Sequence, residues 1–442
     1  MHKAVRIEKL VHGGQGLGRL SDGKVVLVEG ALPGEEVRVR VLQERGSHVE
    51  AEVAALLEPS PERIAAPCPY YADCGGCNLQ YAGYAAQLRM KMDIVAESLQ
   101  RAGVDMAEAI FAQAKPSPQQ FAYRHRLRLH LRQDGVLGFH RRQSNNLVPI
   151  DRCLLATEGI NTALGRIVQD RQWTTQIASY VQALEFNHCP ASDRIALVLH
   201  GKNLRDERII KSLGRMCASL AEGVGWIGTT QGVSLCQPGK ADQDMFLRQH
   251  FQHTGLSYEL HWPPHSFFQV NCQQNENLVK LAMSVAASSD TALDLFCGSG
   301  NFSIPLALLG AQVLGIEYST TSIHWARRNG KEAGLNNIRF ISADASAELS
   351  RLTSLASGGN RFETILLDPP RQGLGKAAAL LPHLQPRRIV SISCDPATHA
   401  RDLRLMQTGG YRLIQVLPVD MFPQTHHIET MAVLEQASAS SG

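Results

Sequence analysis

The stretch 292-ALDLFCGSGNF-302 decides how the C-terminal half of this chain folds. It reads as a hydrophobic strand that ends in a glycine turn and opens directly into a helix. Gly298 and Gly300 let the backbone come close to a ligand, and the free amides at the helix start face the same point. Outward from this turn the pattern repeats. Strands "TALDLF", "QVLGIE", "IRFISAD", "TILLD" and "RIVSISC" alternate with helices such as "NFSIPLALLG" and "TSIHWARRNGKEAG". Alternation of this kind implies a mostly parallel sheet with helical crossovers. The second strand ends at Glu317, 17 residues beyond Gly300, where an acid can accept both ribose hydroxyls of an adenosine group. The dinucleotide fingerprint G-x-G-x-x-G is absent, so the turn serves a different nucleoside-type ligand.

The form D-x-F-C-G-x-G resembles the S-adenosylmethionine loop of class I methyltransferases, and Asp344, closing "FISAD", falls where such enzymes contact the adenine. "LLDPPRQG" (366–373) ends another strand at the carboxyl edge, where open α/β sheets place their ligands. Asp-Pro-Pro motifs in amino-group methyltransferases continue with an aromatic residue that stacks on a base. Here Arg371 takes that place, which argues against N-methylation. "IVSISCDPATHARD" then puts Cys394 at the tip of a strand with a polar helix start behind it. A cysteine after an apolar run is commonly structural, but the strand ends at Cys394, which exposes it at the edge the cofactor would share. Carbon 5 of a pyrimidine is too weak a nucleophile to attack a methylsulfonium. A thiolate that adds to carbon 6 creates an enolate at carbon 5, and a base must later remove the carbon-5 proton. "DMFPQTHHIETMAVLE" (420–435) offers Glu429 for that step, with His426 and His427 as rivals.

The N-terminal half has a different texture. Residues 1 to about 58 hold short valine-rich alternating runs separated by "SDG" and "LPGEE", the pattern of a small β-barrel. "GGQGLG" (13–18) looks like a phosphate loop but lacks a following helix, so it reads as barrel turns. Residues 84–102 carry apolar side chains at helical spacing. From Arg126 to Arg132, Arg126, Arg128, His130 and Arg132 alternate with three leucines, as in a half-buried strand with a basic face. Residues 121–142 contain six arginines, three histidines and one acid. With a net charge of only +3 over 442 residues, this local patch is the natural contact for an RNA backbone. The composition, 44% hydrophobic and 19% charged, is globular. No apolar run reaches the roughly 18 residues of a membrane span, and no secretory h-region opens the chain, so a cytoplasmic protein is expected.

In a reducing compartment the ten cysteines are thiols, ligands or nucleophiles before they are disulfides. "CPYYADCGGC" concentrates Cys68, Cys74 and Cys77. Three thiols this close together leave a disulfide, a zinc ion and an iron–sulfur cluster open.

Taken with "SFFQVN" (266–271), these motifs resemble the RNA uracil-5-methyltransferases, the family that makes 5-methyluridine in bacterial 23S ribosomal RNA and in tRNA. The resemblance covers nearly the whole chain. It implies Cys394 as the carbon-6 nucleophile and Glu429 as the proton acceptor. Gln269, Phe296, Asn301, Glu317, Asp344 and Asp368 would form the S-adenosylmethionine pocket, and Phe267, Gln269 and Asp368 would hold the flipped uracil. Cys68, Cys74, Cys77 and Cys153 match the ligands of a [4Fe–4S] cluster in the ribosomal-RNA branch, and the barrel looks like the OB-like TRAM domain. Three parts follow: a barrel over 1–60, an α+β iron–sulfur domain over 61–79 and 113–258, and a Rossmann-like class I methyltransferase domain over 80–112 and 259–442. The expected activity is methylation of a uridine in 23S rRNA by a monomer with no membrane partner, and tRNA is the alternative substrate. An RNA cytosine-5-methyltransferase is disfavoured by Pro370 and Arg371, where it would carry a second cysteine. A non-catalytic RNA-binding iron–sulfur protein would have no use for Cys394.

Overall fold

The computed structural model describes residues 3–217, 225–230, 232–236, 246–253, 255–355 and 362–437. The alternating N-terminal runs form β1 (Lys3–Leu10), β2 (Gly16–Arg19), β3 (Val25–Glu29), β4 (Glu36–Glu44) and β5 (His48–Glu58). They close into a barrel in the order β1-β2-β3-β5-β4, with Val5, Ile7, Val26, Val28, Val37 and Val39 filling its interior. Closure removes the sheet edges that such short strands would otherwise expose. Only the first half of "GGQGLG" is turn, because Gly16–Arg19 pairs with β1 and β3 as strand β2.

Helix α1 (Tyr84–Arg101) follows, then the two-residue strand β6 (Ile110–Phe111). The apolar face of α1 is split between two neighbours. Ala86, Met90 and Ile94 pack with Leu10 and Leu32 of the barrel region, while Val95 and Leu99 pack with Leu403 and Met406 of the C-terminal region. The basic run forms β7 (Arg126–Leu131), with its three leucines buried, followed by β8 (Leu137–His140) and β9 (Leu147–Pro149). Helices α2 (Glu158–Gln169) and α3 (Arg171–Ile177), strands β10 (Val181–His188) and β11 (Ile195–Gly201), helix α4 (Glu207–Cys217), and strands β12 (Trp226–Thr229) and β13 (Ser234–Cys236) complete a seven-stranded sheet ordered β13-β12-β11-β10-β7-β8-β9. The hairpin β14 (Leu247–His253) and β15 (Leu256–Trp262) runs through residue 258. Its Phe251, Tyr258, Leu260 and Trp262 join the core of the region that follows.

That region comprises α5 (Cys272–Ala286), β16 (Thr291–Leu295), α6 (Ser303–Leu308), β17 (Gln312–Glu317), α7 (Thr320–Glu332), β18 (Ile338–Ser342), α8 (Ala345–Leu355), β19 (Thr364–Leu367), β20 (Arg388–Ser393), α9 (Pro396–Thr408), β21 (Tyr411–Val419) and β22 (Glu429–Gln436). The sheet order is β18-β17-β16-β19-β20-β22-β21-β6. The first five strands are parallel, and β22 runs antiparallel between β20 and β21. Successive residues of one strand face opposite apolar layers: Ala292 packs on the α5 side, and Leu293 and Leu295 pack on the α8–α9 side. This is the parallel, doubly covered sheet expected from the alternating pattern. Order reverses between β16 and β19, so the ligand crevice lies at the carboxyl ends of those strands. Among the described residues, no helix is long and apolar enough to cross a membrane.

Candidate active site and cysteine centre

Five parallel strands deliver side chains to one edge: Phe296 after β16, Glu317 at the end of β17, Asp344 after β18, Asp368 after β19 and Cys394 after β20. Because β22 is antiparallel to β20, its first residue, Glu429, arrives at the same edge. Cys394 is held from behind, where Asp395 caps α9 by accepting the amides of Ala397 (3.1 Å) and Thr398 (2.9 Å). The Thr398 hydroxyl in turn donates to the Arg371 carbonyl at 2.8 Å, which fixes the "DPPR" turn beside the cysteine.

The charges at this edge act on one another. Burial pushes the Cys394 thiol up to about 12, and Glu429 and Asp368 add to the shift, while Arg371 pulls it back. Glu429 is only 3% exposed. Burial first, then Asp368, raise its carboxyl well above the ordinary range. Burial pushes Asp368 up to about 7 against a hydrogen bond from Gln269 at 3.4 Å. The rival bases meet this group through Arg371. His427 Nε2 meets Arg371 at 3.4 Å, and burial lowers His426 to about 4 and His427 to about 3. Cys394 is therefore a protonated thiol in the free protein, which gives a direct expectation. Against a free thiol near 8.5, iodoacetamide should modify Cys394 slowly at pH 8, faster toward pH 10, and more slowly still in Arg371→Gln. Peptide mass spectrometry measures this, and fast labelling independent of pH would refute the electrostatic account.

Among the residues expected at the cofactor, Glu317 spans the glycine turn. One carboxylate oxygen accepts the Gly298 amide at 3.3 Å and the other accepts the Ser319 amide at 2.8 Å. Phe296 is held at φ +65°, a conformation that side-chain-bearing residues rarely adopt outside functional turns. Gly298 also has positive φ, and a Cβ there would meet nothing within 4 Å, so the backbone is open to a ligand. Asn301 is fixed by a reciprocal amide pair with Asn275, at 2.9 and 3.0 Å. Asp344 caps α8 through the Ala347 amide (2.9 Å) and is exposed. Two residues were not foreseen. Asp294 is fully buried and bonded to the Ser303 hydroxyl, its second oxygen meets no partner among the described residues, and burial lifts it to about 7. An acid inside an apolar strand was the available signal. Tyr318, beside Glu317, is 78% exposed, and nothing in the sequence marks it.

Phe267, expected to meet the uracil, is 70% exposed, an unusual state for a phenylalanine, and stands two residues from Gln269. Of the three arginines expected to meet RNA, Arg128 and Arg132 are exposed, and Arg132 pairs with Asp134. Arg126 is turned inward. It pairs with buried Glu185 (2.9 Å) and donates to the Ser266 carbonyl (3.0 Å), which makes it a brace for the Phe267 loop and the arginine least free to reach a phosphate. The reason is desolvation: Glu185 at 3% side-chain exposure requires a cation beside it.

Cys68, Cys74, Cys77 and Cys153 are all free thiols, and they line one cavity together with Tyr70, Arg124 and Ile150. Burial raises Cys74, Cys77 and Cys153, with Cys77 reaching about 12. Arg142 lies over the Tyr71 ring and donates to the carbonyls of Tyr71 (3.1 Å), Cys74 (3.3 Å) and Cys77 (2.7 Å), tying the loop from outside. Asn161 accepts from the Cys153 amide at 2.9 Å and donates to its carbonyl at 3.1 Å. Among the described residues, no three His, Cys, Asp or Glu side chains are grouped so as to hold a metal ion.

A sheet ordered in this way, with an acid and a glycine turn at its switch point and a cysteine two strands away, defines a class I S-adenosylmethionine-dependent methyltransferase. The pattern of the tRNA (uracil-5-)-methyltransferase family matches residues 83–437, and that of the TRAM domain matches residues 3–54. The chain belongs to the tRNA (uracil-5-)-methyltransferase family. An uncharacterized RNA methyltransferase of Aquifex aeolicus is 36% identical over 431 residues, 97% of each chain. The 23S rRNA (uracil(1939)-C(5))-methyltransferase RlmD of Pseudomonas putida is 36% identical over 439 residues, covering 97% of this chain and 92% of that protein. Among solved structures, the Pyrococcus abyssi tRNA (uracil-54, C5)-methyltransferase in complex with S-adenosyl-L-homocysteine superposes with a TM-score of 0.70. It is 25% identical and covers 98% of this chain and 99% of that one.

Proposed function

We propose that this enzyme transfers the methyl group of S-adenosylmethionine to carbon 5 of a uridine in 23S rRNA. The observation that carries the reading is the convergence of Cys394, Glu429, Asp368 and Gln269 at one sheet edge beside the glycine turn. The Cys394 thiol gives its proton to solvent, its sulfur bonds to carbon 6, and the carbon 5–carbon 6 pair moves onto carbon 5 and the carbon-4 carbonyl oxygen. Carbon 5 then takes the methyl group from the sulfonium, leaving S-adenosylhomocysteine. Glu429 removes the carbon-5 proton, and the sulfur leaves carbon 6. Phe267, Gln269 and Asp368 hold the uracil, which must be flipped from its stack to reach the thiol. Gln269, Phe296, Asn301, Glu317, Asp344 and Asp368 hold the cofactor, while Arg128 and Arg132 meet phosphates. In this reading 1–60 binds RNA, 61–79 with 113–258 carries the cysteine centre, and 80–112 with 259–442 performs the transfer.

Ribosomal RNA is favoured over tRNA because relatives named for 23S rRNA are 36% and 32% identical to this chain, against 25% for the tRNA (uracil-54, C5)-methyltransferase at similar coverage. A methyl-transfer assay on unmodified 23S rRNA and tRNA side by side, with product nucleosides identified by mass spectrometry, tests the assignment. 5-Methyluridine in 23S rRNA is the expected product; the same product in tRNA alone would overturn the substrate, and 5-methylcytidine would overturn the chemistry.

Cys68, Cys74, Cys77 and Cys153 would hold a [4Fe–4S] cluster. Four thiols lining one cavity are the ligand type and number it needs, and Arg124 and Arg142 supply cations beside the negative charge of a thiolate-ligated cluster. Such a centre, with every iron ligated by protein, would cross-link the loop and not open a radical path. Protein purified without oxygen should contain about four irons and four sulfides per chain, and Cys153→Ala should lower both. Zinc with no sulfide would refute the cluster.

A further inference from the structure

Asn78 follows Cys77 directly, and its side chain reaches two distant parts of the chain. Its Oδ1 accepts the His426 backbone amide at 2.9 Å. Its Nδ2 donates to the Gly13 carbonyl at 3.0 Å and lies 2.9 Å from His426 Nδ1. The two backbone partners allow only one orientation of the amide, since the oxygen must face an N–H and the nitrogen a carbonyl. His426 Nδ1 is then an acceptor, and the ring carries its proton on Nε2. The backbone repeats the attachment, with the amides of Asn78 and Leu79 donating to the Gln424 carbonyl at 3.2 and 3.1 Å. On the barrel side the β1–β2 turn is closed against the same residue: at Gly14, φ +83°, a Cβ would stand 2.4 Å from Asn78 Nδ2 and 3.0 Å from His426 Cβ. His12 in that turn faces Asp395, the neighbour of Cys394, at 3.5 Å. Behind Asn78, the Arg142 bond to the Cys77 carbonyl fixes the cysteine loop.

One side-chain amide thus fastens the cysteine loop, the first turn of the RNA-binding barrel, and the segment that runs through His426 and His427 into Glu429. We propose that Asn78 is a positioning residue for methyl transfer, through which the filling of the cysteine centre and the seating of the barrel turn set the placement of residues 424–429. It rests on the reading of Glu429 as proton acceptor and of the four cysteines as a cluster site. Asn78 touches no reacting atom, so its removal should disturb placement and leave RNA affinity nearly unchanged.

The test uses full-length protein purified without oxygen, comparing wild type with Asn78→Ala for iron and sulfide content, hydrogen exchange and steady-state kinetics. The variant should keep the wild-type iron and sulfide. Its 424–427 amides should exchange at least about tenfold faster and kcat should fall by about tenfold or more, with KM for RNA within about threefold, the pattern of a misplaced catalytic group. Wild type stripped of iron by a chelator should show the same faster exchange at 424–427. Asn78→Asp keeps the acceptor for the His426 amide but loses both donors, so it serves where alanine fails to fold: with iron intact, kcat should still fall. Unchanged exchange and kcat in Asn78→Ala would overturn the proposal. So would iron loss in step with kcat in both variants, because Asn78 would then only support the cysteine loop. Stripped protein with undisturbed 424–427 exchange would overturn the link to the cysteine centre. Wild type that never holds iron would overturn the cluster reading and that link together, while the Asn78→Ala kinetics and exchange still decide the positioning role.

Discussion

Replacing Cys394 with alanine should remove 5-methyluridine formation altogether, by at least about four orders of magnitude, as expected for loss of a nucleophile that acts as one unit with its partners. S-adenosylmethionine affinity, measured by calorimetry, should be unchanged. Nothing else at the edge can replace the sulfur. Cys297 is buried 3% exposed behind the glycine turn, and burial first, then Asp294 and Glu317, push its thiol far up. Asp368 and Glu429 are oxygen nucleophiles, too weak toward carbon 6 of an unactivated uracil, and burial raises both carboxyls, with Asp368 adding to the shift at Glu429. Without the sulfur–carbon bond, carbon 5 never acquires the electron pair that attacks the methyl group. Substantial residual transfer by Cys394→Ala would mean that the covalent route is wrong. Equal loss of cofactor affinity would mean that the substitution had collapsed the edge and tested nothing about chemistry.

The parts of the site that were legible in the sequence are those tied to local pattern. The strand–turn–helix at 292–302 could be read because its apolar run and glycine spacing sit within eleven residues. Cys394 and Asp368 could be placed because a parallel strand delivers whatever follows its last apolar residue to the carboxyl edge. The alternation of β7 showed which face carries the arginines, yet not that Arg126 would be claimed by Glu185, which arrives from another strand. Long-range polar contacts leave no periodic trace. Lys91 lies in the middle of α1, where a lysine ordinarily faces water, yet it is fully buried against Asp420 at 2.6 Å, 329 residues away. The same Asp420 accepts the Tyr84 hydroxyl at 2.9 Å, so α1 holds the start of the segment leading to Glu429. Asn78 and His426 are 348 residues apart and show no compositional signal at either end. Motif order pointed to the chemistry proposed above, while the placement of the residues that would carry it depends on pairs that only the folded chain brings together.

Glu429→Gln should separate the two halves of the reaction. Glutamine keeps the shape of the side chain and its reach but cannot take the carbon-5 proton. The nucleophilic half should survive, because Glu429 is one of the groups that raise the Cys394 thiol, and removing its charge favours the thiolate. Methyl transfer then proceeds once, and the product stays bonded to Cys394 because elimination requires a proton to leave carbon 5. A protein–RNA adduct that resists denaturing gel electrophoresis should accumulate in the presence of S-adenosylmethionine, at one methyl per protein. Turnover should fall by about 10²- to 10⁴-fold, the usual effect of losing a general base. In the wild type, burial first and then Asp368 raise the Glu429 carboxyl above its ordinary range, so its base form grows as pH rises and turnover should climb with pH. The variant has no such group, and its single-turnover methylation should lose that part of the pH dependence. A variant that turns over normally, or that forms no adduct while Cys394 remains intact, would move the proton-acceptor role to another group. His427, held by Arg371 at the same mouth, would be the next to replace.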